Sequence, residues 1–199
     1  MENTKLDAKE MPARRHFLRD AGIAVAGAGI ASVAGTSAVA AQAAGTVKGD
    51  SRGDIGVLQG ALALEHEGIA AYMIAGASGL LTPDVLKVAL VFLGHHQGHR
   101  DALANLIIEA GGKPTEPKTD AEYVTALNLG ALKSQGDVVA LATRLEQGAA
   151  NAYVGQIAAL RDRSTARLFA QLASDEAVHW AVLNNASGNA VPSQTFLFG

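Results

Sequence analysis

The 199-residue chain contains no cysteine, so disulfides, thiolate metal ligands and a cysteine nucleophile are all excluded, while compartment is left open. Aromatic residues are few, at 5%, with a single tryptophan. A core must therefore be filled by small and aliphatic side chains. That suits closely approaching helices better than a β-sandwich, which draws on Val, Ile, Thr and Tyr. No strong charge of either sign is present, the net charge being −3. Without a basic patch, nucleic acid is excluded as an expected partner. No serine-nucleophile motif or phosphate-binding loop stands out. The glycines at 22, 27, 29 and 35 have no β-strand before them, which a dinucleotide fingerprint requires.

What is present first is an N-terminal segment of two parts. Residues 1–20 are polar and carry Arg14-Arg15-His16-Phe17-Leu18-Arg19; residues 21–47 carry no charge and are rich in Ala, Gly and Val. Ala38-Val39-Ala40 and Ala41-Gln42-Ala43 both fit a small-x-small cleavage site. This resembles a twin-arginine (Tat) export signal over residues 1–44, followed by a linker over 45–53. The resemblance implies recognition by the Tat export machinery and a periplasmic or otherwise extracytoplasmic location. A signal left uncleaved would anchor the protein to a membrane.

From Asp54 onward the apolar spacing becomes helical, with Val57, Leu58, Ala61, Leu62, Leu64 and Ile69 three and four apart. The pattern predicts an all-α body over residues 54–186: a first helix over 54–78, a turn, and a second helix ending near Ala110. Thr82-Pro83-Asp84 supplies the cap, N1 proline and acidic first turn of that second helix. A proline-bearing crossover over 113–119 leads to a short helix at 120–131, announced by the capping-box pattern Thr119-x-x-Glu122. A third long helix opens at Gly136-Asp137 and runs to about Arg161, and a fourth spans 165–186. The tail, 187–199, is expected to pack on the bundle or on a neighbouring subunit.

The two halves share polar positions. Val57, Ala61, Leu64-Glu65 and Ala71-Tyr72 recur as Val138, Ala142, Leu145-Glu146 and Ala152-Tyr153. His96-x-x-His99, with Leu103 and Asn105 beyond it, recurs as Glu176-x-x-His179 with Leu183 and Asn185. Residues three apart share a helix face, so each of these pairs presents two donors together. Glu65 and Glu146 lie on apolar faces, where an unpaired carboxylate costs several kcal/mol. Collecting the inward polar residues gives Glu65, His96, His99, Glu146, Glu176 and His179. A mixed oxygen and nitrogen set of this kind suits iron, manganese or zinc. The register favours His96 as the inward residue over His95, which lies four positions from His99 and is the other choice. Glu–His hydrogen bonds across the bundle would satisfy the same groups without metal. Tyr72 and Tyr153, about two turns beyond Glu65 and Glu146, are expected to line the interior as hydrogen-bonded hydroxyls.

Over residues 54–186 the chain resembles the ferritin-like superfamily, especially its exported members with Tat signals. The family pattern is one Glu from each of two helices and Glu-x-x-His from each of the other two. The resemblance implies an antiparallel four-helix bundle with a long crossover between the second and third helices. It also implies terminal carboxylates at Glu65 and Glu146, a bridging carboxylate at Glu176, and imidazole ligands at His99 and His179. One position departs from the pattern: His96 stands where the family has Glu. A neutral imidazole has one free lone pair and cannot bridge two ions as a carboxylate does. Three outcomes remain open: a dinuclear site completed by an exogenous anion, a mononuclear site, or a remnant that binds nothing. The function implied is iron or manganese binding, one or two ions, with oxygen or peroxide chemistry if the site is redox-active. The alternative is a metal-free structural or accessory protein, stress-related or part of a membrane-associated complex. A homo-oligomer is compatible with either, though a storage cage is not what the exported members imply.

Overall fold

The computed structural model describes residues 51–199; the predicted export signal and the first part of the linker lie outside the described residues. After a 3-10 turn at Ser51–Asp54 come four long helices and one short one: α1 (Ile55–Gly76), α2 (Pro83–Glu109), α3 (Asp120–Ala126), α4 (Gln135–Gln156) and α5 (Arg163–Ala186). Among the described residues there is no strand. The expected all-α bundle is the observed one.

Two hairpins make the bundle, α1 with α2 and α4 with α5. Each is joined by a connection of only six residues, which forces antiparallel neighbours. Pro83 opens α2 after an extended Thr82, as the sequence predicts. Gly111 ends it with φ +86, a left-handed conformation that favours glycine, and Gly112 N–H returns to Ile107 O at 2.8 Å. The crossover then runs along α1. Gln59 donates to Lys113 O and accepts from Thr115 N–H, and His66 Nε2–H donates to Thr115 O at 3.0 Å. The Thr119–Glu122 capping box is present in full.

Of the boundaries that differ from the sequence reading, three have a clear local reason. The short helix ends at Ala126 because Asn128 turns left-handed (φ 52), and a 3-10 turn follows at Leu129–Ala131. Helix α4 starts at Gln135, because Ser134 caps it by accepting from Asp137 N–H. It stops at Gln156, tightening into a 3-10 turn at Ile157–Ala159 before Leu160 becomes extended. Asp54, fully buried, accepts from Arg161 N–H and Asp162 N–H, tying the start of α1 to the turn before α5. Asp162 in turn caps α5 through Thr165 N–H at 2.8 Å.

The core has two apolar layers. One contains Leu58, Leu62, Leu103, Ile107, Phe169 and Leu172 together with Tyr153. The other contains Tyr72, Phe92 and Leu183. Each such aliphatic or aromatic side chain contributes about 1.5–3 kcal/mol by burial. Along all four long helices, the six polar residues singled out in the sequence fall between these layers. The tail packs on the bundle: Phe198 meets Trp180 edge-on at 5.3 Å, and Gly199 N–H donates to Asn151 Oδ1 at 3.0 Å. No described helix is long and apolar enough to cross a membrane.

Candidate metal centre

Helix periodicity sets each donor. Glu65 on α1 and Glu146 on α4 point inward from opposite hairpins; His96 and His99 come from α2; Glu176 and His179 come from α5. The structure brings all six together. None is more than 8% exposed, so water cannot satisfy them and they must satisfy one another or an ion.

They form two overlapping four-residue sets, each with ligand atoms mutually within 4.8 Å. One is Glu65, His96, His99 and Glu176; the other is Glu146, His96, Glu176 and His179. Glu176 and His96 belong to both. The Glu176 oxygens divide, Oε1 accepting from His99 Nδ1–H at 3.1 Å and Oε2 from His179 Nδ1–H at 3.2 Å. This is the disposition of a carboxylate that faces two positions at once. The His96 nitrogens divide the same way, Nδ1–H donating to Glu65 Oε2 at 2.8 Å and Nε2–H to Glu146 Oε1 at 3.3 Å. Thus His96, rather than His95, faces the centre, in the register the sequence favours.

The tyrosines exchange helices. Tyr72 of α1 donates to Glu146 of α4, and Tyr153 of α4 donates to Glu65 of α1. Burial and the adjacent carboxylates push both phenols up, so they remain hydroxyl donors.

Electrostatics follow from burial and proximity. Burial disfavours the carboxylate of Glu65, but hydrogen bonds from His96 and His99 outweigh it and lower its pKa. Glu146 is lowered too, burial being outweighed by His179 and His96. Glu176 is raised by its burial. Burial opposes charge on the three imidazoles, yet the carboxylates beside them win: His96 and His179 are raised, and His99 is pushed up to about 10. Without metal, three carboxylates and three imidazoles can therefore cancel one another's charge.

A further layer of contacts orients the imidazoles. His99 Nε2–H donates to Asp175 Oδ2 at 3.2 Å, and His179 Nε2 shares a hydrogen bond with His95 Nδ1 at 2.9 Å. Phe92 stacks on the His179 ring with centroids 4.1 Å apart. These partners were not singled out as supports in the sequence. The available signals were Asp175, four residues before His179, and His95, four before His99, spacings that place each beside a predicted ligand. Glu67, two residues after Glu65, is half-buried and takes no part in either set, and Trp180, next to His179, packs on the tail.

The model of the ferritin-like domain matches residues 53–189. The chain belongs to the ferritin-like domain family. Among solved structures, the ferritin-like bundle is similar to a conserved hypothetical protein of Mycobacterium tuberculosis. Identity is 21% and the TM-score 0.59, covering 74% of this chain and 99% of that one. It is equally similar to the bacterioferritin of Desulfovibrio desulfuricans, whose structure is described as containing a diiron site, at 21% identity and TM-score 0.59, covering 73% and 93%. At these identities the likeness concerns the fold. Comparison with curated proteins finds no match.

The donor set of this ferritin-like protein fits a divalent ion. Each four-residue set offers two carboxylates and two imidazoles, enough negative charge for one such ion and a donor mixture suited to iron or manganese. Beside the set containing Glu146 lies an apolar cavity of about 330 Å³, lined in part by Tyr72, Phe92, Val138, Ala142 and Leu183. It abuts the centre through Tyr72, which donates to Glu146, and Phe92, which stacks on His179.

Proposed function

We propose that this protein binds iron or manganese in its bundle core through Glu146, Glu176, His179 and His96, with Glu65 and His99 completing the set. The observation that carries the reading is the convergence of six buried acid and imidazole side chains into two sets sharing Glu176 and His96. The chain's own residues would hold the ion, keep the imidazole rings oriented through Asp175 and His95, and exclude bulk water. A redox-active ion there would supply electron transfer to oxygen or a peroxide. Tyr72 and Tyr153 would hold the carboxylates of Glu146 and Glu65 in place by donating to them. The bacterioferritin likeness supports this reading at the level of fold.

We place the mature protein outside the cytoplasm, delivered by the Tat machinery, on the strength of Arg14-Arg15 and the uncharged run after it. Export through that route would let the ion be loaded before translocation.

One observation favours a second reading, a metal-free scaffold or accessory subunit: the three acids and three imidazoles already satisfy one another. Elemental analysis after anaerobic loading with Fe(II) or Mn(II), then dialysis, separates the two. Retention of near-stoichiometric metal, lost in Glu146→Ala, is the expected result. Trace metal in the wild type would leave the scaffold reading standing.

A further inference from the structure

We propose that the centre holds a single divalent ion per chain, in the half formed by Glu146, Glu176, His179 and His96 Nε2, and that the His96 ring occupies the place of a second ion. The inference rests on the metal-binding reading and specifies it.

The argument begins with the two faces of His96. Its Nδ1–H donates to Glu65 Oε2 at 2.8 Å, the shorter of its two bonds. An ionised carboxylate only accepts, so that bond keeps a hydrogen on Nδ1. Both Glu65 oxygens are then in use, Oε2 by His96 and Oε1 by Tyr153. Glu146 also has both oxygens in use, but its imidazole contacts are longer: Tyr72 and His96 at 3.3 Å fall on Oε1, and His179 Nδ1 lies 3.3 Å from Oε2. Glu65 thus acts as the carboxylate that orients an imidazole from behind, an arrangement common at metal-binding histidines. The nitrogen so aimed is Nε2, toward Glu146. On metal binding, the protons on His96 Nε2 and His179 Nδ1 leave to solvent and their lone pairs become ligands.

Charge gives the same answer. Three carboxylates fall short of the four positive charges of two divalent ions, so a second ion would leave one uncompensated positive charge among side chains no more than 8% exposed, which is costly.

The ring also has its own seat. A Cβ built on Gly68 would approach His96 Cε1 and Nδ1 at 3.2 Å, so the imidazole packs directly on the α1 backbone. The corresponding residue of the other half, three after Glu146, is Ala149. Space for an imidazole is therefore made on the side where the ring sits.

The test titrates metal-free wild type and His96→Glu with Mn(II) under anaerobic conditions, reading bound ion by equilibrium dialysis and its state by EPR. The expected result is one ion per chain with an isolated-ion spectrum in the wild type. His96→Glu, which restores the family's fourth carboxylate, should bind two ions with a spin-coupled spectrum. Two coupled ions in the wild type would overturn the inference and leave metal binding intact; so would one ion in His96→Glu. No ion in the wild type alone also overturns the inference, whereas no ion in either protein overturns the metal-binding reading. A second pair of variants covers a misfolded His96→Glu. His99→Gln should keep one ion and His179→Gln should lose it, and the reverse pattern overturns the assignment.

Discussion

Replacing Glu65 by Leu tests whether the centre is held together as the structure describes, before any metal is involved. Glu65 is 1% exposed and accepts from Tyr153 Oη–H and His96 Nδ1–H, with His99 Nδ1 at 3.6 Å. Leucine fills a similar volume but accepts nothing. Two buried donors lose their acceptor, at about 1–3 kcal/mol each, and a buried ionic partner is removed, for which about 3–5 kcal/mol is typical. These describe one loss seen two ways, so the expected destabilisation is about 3–5 kcal/mol. For a chain of this size that lowers Tm by roughly 6–20 °C. The assay is thermal unfolding with a chelator present, so that no ion adds its own stabilisation. Tyr153→Phe should cost less, about 1–3 kcal/mol, because Glu65 keeps its bond from His96. In the double variant the orphaned hydroxyl is gone, so its loss should fall short of the sum by about 1–2 kcal/mol. A Glu65→Leu protein as stable as wild type, or a cycle additive within about 0.5 kcal/mol, would refute the reasoning.

Two further predictions follow from the same geometry, and one from the N-terminal sequence. Because His99 is held at about 10 by Glu176 and Glu65 against its burial, the folded metal-free protein binds more protons than the unfolded chain above about pH 6.5. This contribution to stability is complete below that pH and lost as pH rises through about 10, which denaturant melts across pH 6–10 will measure. Asp175→Ala removes the acceptor behind His99, and His95→Ala the partner behind His179; the His95 change should weaken Mn(II) binding by about 10–100-fold. If one ion sits in the Glu146 half, the Asp175 change should weaken it less, and calorimetric titration compares the two. Changing Arg14 and Arg15 to Lys should retain the protein in the cytoplasmic fraction, and unchanged export of that variant would remove the twin-arginine reading.

Much of this architecture was legible because it is local. Thr119-x-x-Glu122 marks a helix start through its own backbone chemistry and forms the capping box as read, while Thr82 stands at the N-cap position before Pro83 without a side-chain capping bond. Glu65 and Glu146 announced themselves as acids on apolar faces. What was not legible depends on distances between helices. The exchange by which Tyr72 reaches Glu146 while Tyr153 reaches Glu65 is invisible to periodicity, which fixes a face and not the residue opposite it. The seat for His96 is similar: Gly68 reads as a helix glycine until the imidazole is seen against it. Helix ends moved where a single backbone decision, such as the left-handed Asn128, overrode an apolar pattern that continued past it.

The most direct measurement of the central claim is anomalous diffraction from crystals of the protein loaded anaerobically with Mn(II). The account predicts one anomalous peak per chain, bounded by Glu146, Glu176, His179 and His96 Nε2. The absence of any peak within the cluster, with Glu65, His96 and Glu146 still hydrogen-bonded as they are without metal, would contradict it.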